Sequence, residues 1–362
     1  MAVKTRLQSL DIVRGFTVAG MILVNNGHSG SFETLRHAQW NGLTLCDLVF
    51  PFFLFIMGVS IYLSFSSRGF KLTVPTFWKV AKRTVLLLLL GLLINWFDKA
   101  IAGNILCFET LRYWAVLQRI ALCYFIVCMI ALTVNHRYIL WIVGGLLLGY
   151  GTILIVGHGY DYDASTNILA RVDLSLFGYD HIYHKSPVDP EGLLGTMSAV
   201  VNVLLGFYCG KQIKRNQEIV AKTEAVLLAG AVMLIIGFVV SYALPLNKRV
   251  WSPSYALVSS GFCALLLGVV MKLVDNGKPQ PAVAKCLEFF KVFGVNALVL
   301  YIFSEFFAIV IGEFGLSDWW FGVLSSTIPV AQFSSLAYAI SLVLICFAVG
   351  YPLYKKKIYI KL

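Results

Sequence analysis

Residues 22–57, ILVNNGHSGSFETLRHAQWNGLTLCDLVFPFFLFIM, place an imidazole and two carboxamides between two apolar segments. His37 stands in the short polar connection, before the Trp40-Asn41-Gly42 turn. A neutral imidazole there can take a proton from an attacking amine, or attack a thioester itself. Asn25 closes the first apolar segment, and its amide can donate to the oxyanion of a tetrahedral intermediate. Plainer readings stand beside these: an exposed loop histidine, and a polar helix end wetted by interfacial water. Asn26 and His28 are lesser candidates of the same kind.

The segments around this loop belong to a membrane. Of 362 residues, 59% are hydrophobic and 13% charged, about half the charged fraction of a soluble domain. Apolar stretches long enough to cross a bilayer as helices recur throughout. The expected fold is an all-α polytopic membrane protein of about ten spans: 9–26, 46–65, 81–98, 113–133, 138–157, 192–210, 224–244, 254–274, 292–312 and 334–353. No cleavable signal peptide is expected, because the first apolar stretch holds Asp11 and Arg14 and lacks a small-residue cleavage site.

Lys and Arg in the connections set the orientation. With both termini cytoplasmic, 20 of the 29 basic residues fall in inner segments, Lys4, Arg6, Lys278 and Lys361 among them, and 7 in outer ones. The net charge of +11 is therefore a topology signal rather than the footprint of a nucleic-acid binder. As a second use it can hold the phosphates of an anionic cytosolic cofactor. The outer connections are 26–45, 158–191 and 313–333; the last, with Trp319 and Trp320, reads as a surface helix or a re-entrant segment. No separate soluble domain and no internal repeat is evident, so 1–362 reads as one transmembrane domain.

Ionisable groups inside spans are functional candidates by default. Asp11 and Arg14 stand three apart on one helix, so a local ion pair competes with a ligand role. Asp47 opens the second span and Arg119 lies near the outer end of the fourth. These two are expected to pair and orient the first loop, with contact to an acyl donor's polar arm as the alternative for Arg119. Glu305 is a third buried charge, for which packing, proton transfer and substrate binding are not separable. The cysteines form no CxxC pair and the histidines share no ligand spacing, so no metal site is expected. No Walker loop, GxGxxG, HExxH or GxSxG pattern occurs.

The pattern RLxSLDxxRG (Arg6 to Gly15), then VNN and HAQWNGLTLCDLVFPFFLFIMG, resembles the heparan-α-glucosaminide N-acetyltransferase family. Further blocks follow in that family's order: LRYWAVLQRIALCYF (111–125), DPEGLLGTMSAVVNVLLGFYCG (189–210), LNKRVWSPSYALVSSGF (246–262) and FGVNALVLYIFSE (293–305). The resemblance implies a multi-span enzyme that passes an acetyl group from acetyl-CoA to a glucosamine across a membrane. It implies that His37 is catalytic, as acetyl acceptor or general base, and that Asn25 is its partner. Arg14, Arg119, Lys82, Arg83, Lys211 and Lys214 are the candidates for holding acetyl-CoA. Asp47, Asp189, Glu191, Asn247, Lys248 and Trp251 are the candidates for the amino-sugar acceptor, several of them equally readable as loop anchors. The chain begins at the family's common core, which implies a bacterial member in the inner membrane, and related enzymes imply a homodimer. Two other functions remain open from sequence: an amino-sugar permease, against which no paired broken spans appear in corresponding halves, and an O-acyltransferase of envelope polysaccharide.

Overall fold

A computed structural model describes residues 7–277 and 279–360. Lys4, Arg6, Lys278 and Lys361, part of the inner charge count, lie outside the described residues. The described chain is helical throughout, with no strand. In order the helices are α1 (Gln8–Asn25), α2 (Leu45–Ser66), α3 (Val74–Ile101), α4 (Val116–Thr133), α5 (Ile139–Val156), α6 (Ile168–Phe177), α7 (Thr196–Arg215), α8 (Ile219–Ser241), α9 (Pro253–Val270), α10 (Pro281–Val295), α11 (Ala297–Glu313), α12 (Leu316–Thr327) and α13 (Ala331–Lys355).

Their ends follow from local chemistry. Thr44 and Asp47 form a reciprocal capping box at the start of α2. Thr73 accepts from the Thr76 amide ahead of α3. Ser252 caps α9, with Pro253 in its first turn. The helices then pack where glycines let backbones touch. A Cβ at Gly58 of α2 would overlap the Val203 carbonyl of α7, and one at Gly206 would overlap the Phe55 carbonyl. Gly15 and Gly294 make the same reciprocal contact between α1 and α10. Small residues bring membrane helices this close because packing, not water exclusion, holds them together in lipid.

Seven helices are long and apolar enough to cross a membrane, or eight if the bent pair α10–α11 counts as one. Each of the ten expected spans meets a helix, but the count of ten is not reached by length and apolarity. The difference lies partly in α1 and α7, which carry Asp11 and Arg14, and Lys211, Lys214 and Arg215, respectively. Most of α7 is buried, from Thr196 to Ile213; a helix walled by other helices has less need of a uniformly apolar surface. The ninth expected span, 292–312, is not one helix: α10 and α11 meet at an angle of 81°. Asn296 sits at the break, buried, donating to the Ile358 carbonyl (2.9 Å) and accepting from the Ile360 amide (3.0 Å). The tail after α13 thus fills the corner. The expected surface element in 313–333 is α12, which has no buried residue.

The loops carrying His37, Tyr160 and Lys248 gather at one end of the bundle. Trp40 Nε1 donates to the Tyr160 carbonyl (2.9 Å), the Gly42 amide to the Leu246 carbonyl (2.7 Å), and Asn247 Nδ2 to Asn41 Oδ1 (3.1 Å).

Candidate active site

Asp47 is the fixed point. It is fully buried in the first turn of α2. Its Oδ2 accepts from the Thr44 amide (3.1 Å), the Thr44 hydroxyl (2.9 Å) and the Ala38 amide (3.2 Å). The capping carboxylate therefore grips the loop on both sides of the Trp40 turn. Its Oδ1 lies 2.8 Å from His37 Nδ1. A carboxylate at Nδ1 takes the N–H there and leaves Nε2 as the basic atom. The imidazole is held at Nδ1 while 39% of its side chain stays exposed.

Two further side chains complete the group. Cys46 Sγ lies 3.0 Å from His37 Nδ1 and 3.7 Å from Nε2. Lys248, in the turn before α9, brings Nζ to 3.0 Å from Nδ1, 3.4 Å from Nε2 and 3.7 Å from Asp47 Oδ1. Among the described residues, His37, Cys46 and Asp47 are the one set of His, Cys and carboxylate donors close enough to share a metal ion, all within 4.8 Å. The Lys248 ammonium already stands where such a cation would balance the charge. Neither Cys46 nor Lys248 was legible as a neighbour of His37, although the Thr44–Asp47 cap was readable as a motif.

The expected Asp47–Arg119 pair does not form. Arg119 is buried on α4, donates from Nη2 to the Gly192 carbonyl (2.6 Å) and lies 4.9 Å over the Trp251 ring. Its Nε and Nη1 have no hydrogen-bond partner. Lys248 takes the place beside Asp47 instead. Asn247 and Trp251 are fully buried. Asn247 Oδ1 accepts from the Val250 amide (3.2 Å), and Trp251 Nε1 donates to Asn202 Oδ1 (2.8 Å). They build the turn that carries Lys248 rather than an open surface.

Asp189 and Glu191 share Arg112, which the sequence reading did not single out. Nη2 of Arg112 donates to Asp189 Oδ1 (2.6 Å) and Glu191 Oε2 (3.0 Å). Burial alone would lower the guanidinium pKa, but the two carboxylates outweigh it and raise it. Burial also pushes Asp189 up against the pull of Arg112, whereas for Glu191 the attraction of Arg112, Arg119 and Lys248 prevails over burial and lowers it. The network pins the start of α7 to the segment before α4.

Asn25, at the end of α1, directs Nδ2 to Glu305 Oε1 at 3.5 Å; no described hydrogen bond joins it to His37. Arg14 pairs with Asp11 (3.2 Å) and donates to Ser60 Oγ (2.8 Å) and the Gly294 carbonyl (3.4 Å), tying α1 to α2 and α10. Lys82 and Arg83 lie on the exposed side of α3, with Arg83 4.8 Å over the Tyr124 ring. Lys214 is exposed in the last turn of α7. Lys211 donates to the His136 carbonyl (3.2 Å) and lines an open cleft of about 490 Å³ with Phe70, His136 and Arg137.

Known proteins repeat this sequence pattern. A model described as heparan-alpha-glucosaminide N-acetyltransferase, catalytic, matches residues 6–175, which include Asn25, His37, Asp47 and Arg119. The heparan-alpha-glucosaminide N-acetyltransferase of Homo sapiens is 33% identical over 264 residues, covering 58% of this chain and 39% of that protein. Over residues 6–175 the chain is similar to the heparan-α-glucosaminide N-acetyltransferase family. The Mus musculus enzyme of the same name is 30% identical over 273 residues, covering 61% and 40%. The chain spans about two fifths of the length of the curated relatives it matches. The family match ends at residue 175, so Glu191, Lys248 and Glu305 lie beyond it.

Proposed function

We propose that this chain is a membrane N-acetyltransferase, using acetyl-CoA from the cytoplasmic side to acetylate the amine of a terminal glucosamine or related amino sugar at the outer face. The observation that carries the reading is the imidazole of His37, held at Nδ1 by Asp47 with 39% of its side chain exposed. The relatives' names supply the reaction class.

The chemistry needs one base and one leaving group. The acceptor amine attacks the thioester carbonyl, His37 Nε2 takes the amine proton, and the C–S bond breaks. The thiolate then receives that proton from the imidazolium, leaving an amide and free CoA. Asp47 holds the ring and offsets its charge during the transfer. Asn25 is placed in this scheme as an oxyanion donor, and Glu191 and Asp189 as acceptor-side groups. Acetyl-CoA carries its charge at the nucleotide end. The cleft lined by Phe70, His136, Arg137 and Lys211, with Lys82, Arg83 and Lys214 as further basic groups, is its proposed entry. Phe70 and His136, edge to face in the lining of that cleft, suit a purine ring. In this reading the ten expected spans, the ninth of them the bent α10–α11 pair, cross a bacterial inner membrane with both termini cytoplasmic. The bent α10–α11 pair has no second broken pair among the described residues, which favours an enzyme over an inverted-repeat carrier.

The test uses purified chain in detergent with acetyl-CoA and glucosamine, following CoA thiol and N-acetylglucosamine. Glucosamine-dependent CoA release that is abolished in His37→Ala is expected. Turnover that survives His37→Ala would remove the site; no turnover in the native chain across amino sugars and short glycans would remove the enzyme.

A further inference from the structure

Lys248 is more than a counter-ion in its geometry. Its side chain is 10% exposed, an unusual place for an ammonium. The nearest carboxylate oxygen, Asp47 Oδ1, is 3.7 Å away, beyond a normal hydrogen bond. Asp47 moreover has four closer donors without it: the Thr44 amide and hydroxyl, the Ala38 amide and the His37 ring. If His37 Nδ1 donates to Asp47, that atom has no lone pair to receive Lys248. Nε2 then carries the ring's lone pair, with the ammonium in range to donate one N–H to it at 3.4 Å and two further N–H groups left for another acceptor.

The turn that presents it is held from several sides. The Asn247 amide donates to Ser252 Oγ (3.1 Å), and the Lys248 carbonyl accepts from the Trp251 amide (3.1 Å). Trp251 adopts φ of +50°, a conformation costly for a bulky side chain, with its indole fully buried. Such a constrained backbone fixes Nζ relative to the imidazole before substrate arrives, the condition under which a buried charge aids a reaction most.

We propose that Lys248 is a catalytic residue whose ammonium holds the oxyanion of the tetrahedral intermediate formed beside His37 Nε2. The inference rests on the acetyltransferase reading and adds a group to it. As the amine nitrogen bonds to the thioester carbon, the carbonyl π pair moves onto oxygen, which faces Nζ. When the C–S bond breaks, that pair returns to the carbonyl and the charge beside Lys248 vanishes. The lysine keeps its proton throughout; His37 alone carries the proton from amine to thiolate.

The experiment compares the full-length native chain, His37→Ala, Lys248→Met and Asp47→Asn in detergent, with acetyl-CoA and glucosamine as substrates. For Lys248→Met, kcat falls about 10²-fold or more, while KM for acetyl-CoA and the thermal midpoint stay near native. Methylammonium restores part of the rate of Lys248→Ala in a saturable way. In the Asp47→Asn background, Lys248→Met costs a similar factor again. If it costs nothing there, Lys248 serves only to neutralise Asp47 and the inference is overturned; undiminished kcat in Lys248→Met overturns it as well. Should Lys248→Met not fold, Lys248→Gln is judged by the same split between kcat and KM. A native chain without turnover ends the acetyltransferase reading and this one with it, whereas an active native chain with an indifferent Lys248 ends this one alone.

Discussion

The two oxygens of Asp47 serve different partners: Oδ2 accepts from Thr44 and Ala38, whereas Oδ1 meets His37. One carboxylate thus caps a helix and orients a base, so its removal has two separable consequences. Asp47→Asn is expected to lower kcat by about 10²–10⁴-fold, because an amide no longer enforces the tautomer or offsets the imidazolium. It is also expected to lower stability by about 1 kcal/mol through the weakened cap, read as a fall in thermal midpoint in detergent. Thr44→Ala separates the two, losing stability while retaining most of kcat; equal losses of kcat in both variants would place Asp47 in the scaffold only. His37 and Asp47 were each legible in the sequence, one as a polar-loop imidazole and the other as a charge at a span's edge. Their pairing was not. Arg119 was the expected partner of Asp47 because both stand at the outer ends of their spans. Which cation reaches a given carboxylate is settled by a contact 201 residues along the chain, from Asp47 to Lys248, and neither periodicity nor spacing encodes it.

At the scale of elements, α6 and the segment leading into α7 meet through Asp173. Its Oδ1 accepts from the Leu193 amide at 3.0 Å, and its Oδ2 is buried without a partner. Burial, with a contribution from nearby Asp189, pushes this carboxyl up to about 6. The folded chain therefore holds a proton there that the unfolded chain has released, between the ordinary carboxylate range and about pH 6. Its contribution to stability is complete at low pH and is lost as pH rises through about 6. The shift corresponds to about 3 kcal/mol. The native chain should accordingly gain more thermal stability than Asp173→Asn when pH falls from 7.5 to 5; parallel curves for the two would show that the carboxyl is ionised throughout. The positions of the main helices were readable because long apolar stretches separated by basic connections have few alternatives in a membrane. The break at Asn296 was hidden for the opposite reason. No proline marks it, and the side chain that shapes it bonds to Ile358 and Ile360, far along the chain.

For the whole molecule, function depends on which side each end of the bundle faces. The loops around His37, Tyr160 and Lys248 are hydrogen-bonded into one end. The other end holds the contact of Lys291 with Gln8 (2.9 Å) and the docking of residues 358–360 onto Asn296. The proposed orientation puts this second end, with its excess of Lys and Arg, in the cytoplasm, and the cysteines allow a direct check. Cys286 is the one exposed cysteine among the described residues, on α10 at the basic end; the other seven are buried. A Ser165→Cys substitution adds an exposed thiol in the loop beside His37's end. In intact bacterial cells an impermeant maleimide should label the engineered thiol at position 165 and leave Cys286 unmodified until the membrane is permeabilised. Labelling of Cys286 from outside would invert the protein. His37 would then open toward the cytoplasm, where acetyl-CoA already is, and no thioester would need to reach across the bundle. The cleft at Lys211 would lose its purpose as an entry for the donor, and the reaction would become a one-sided transfer to a cytoplasmic amine. Protection of Cys286 keeps donor and acceptor on opposite sides, the arrangement in which the thioester has to be carried from the basic cleft to the imidazole.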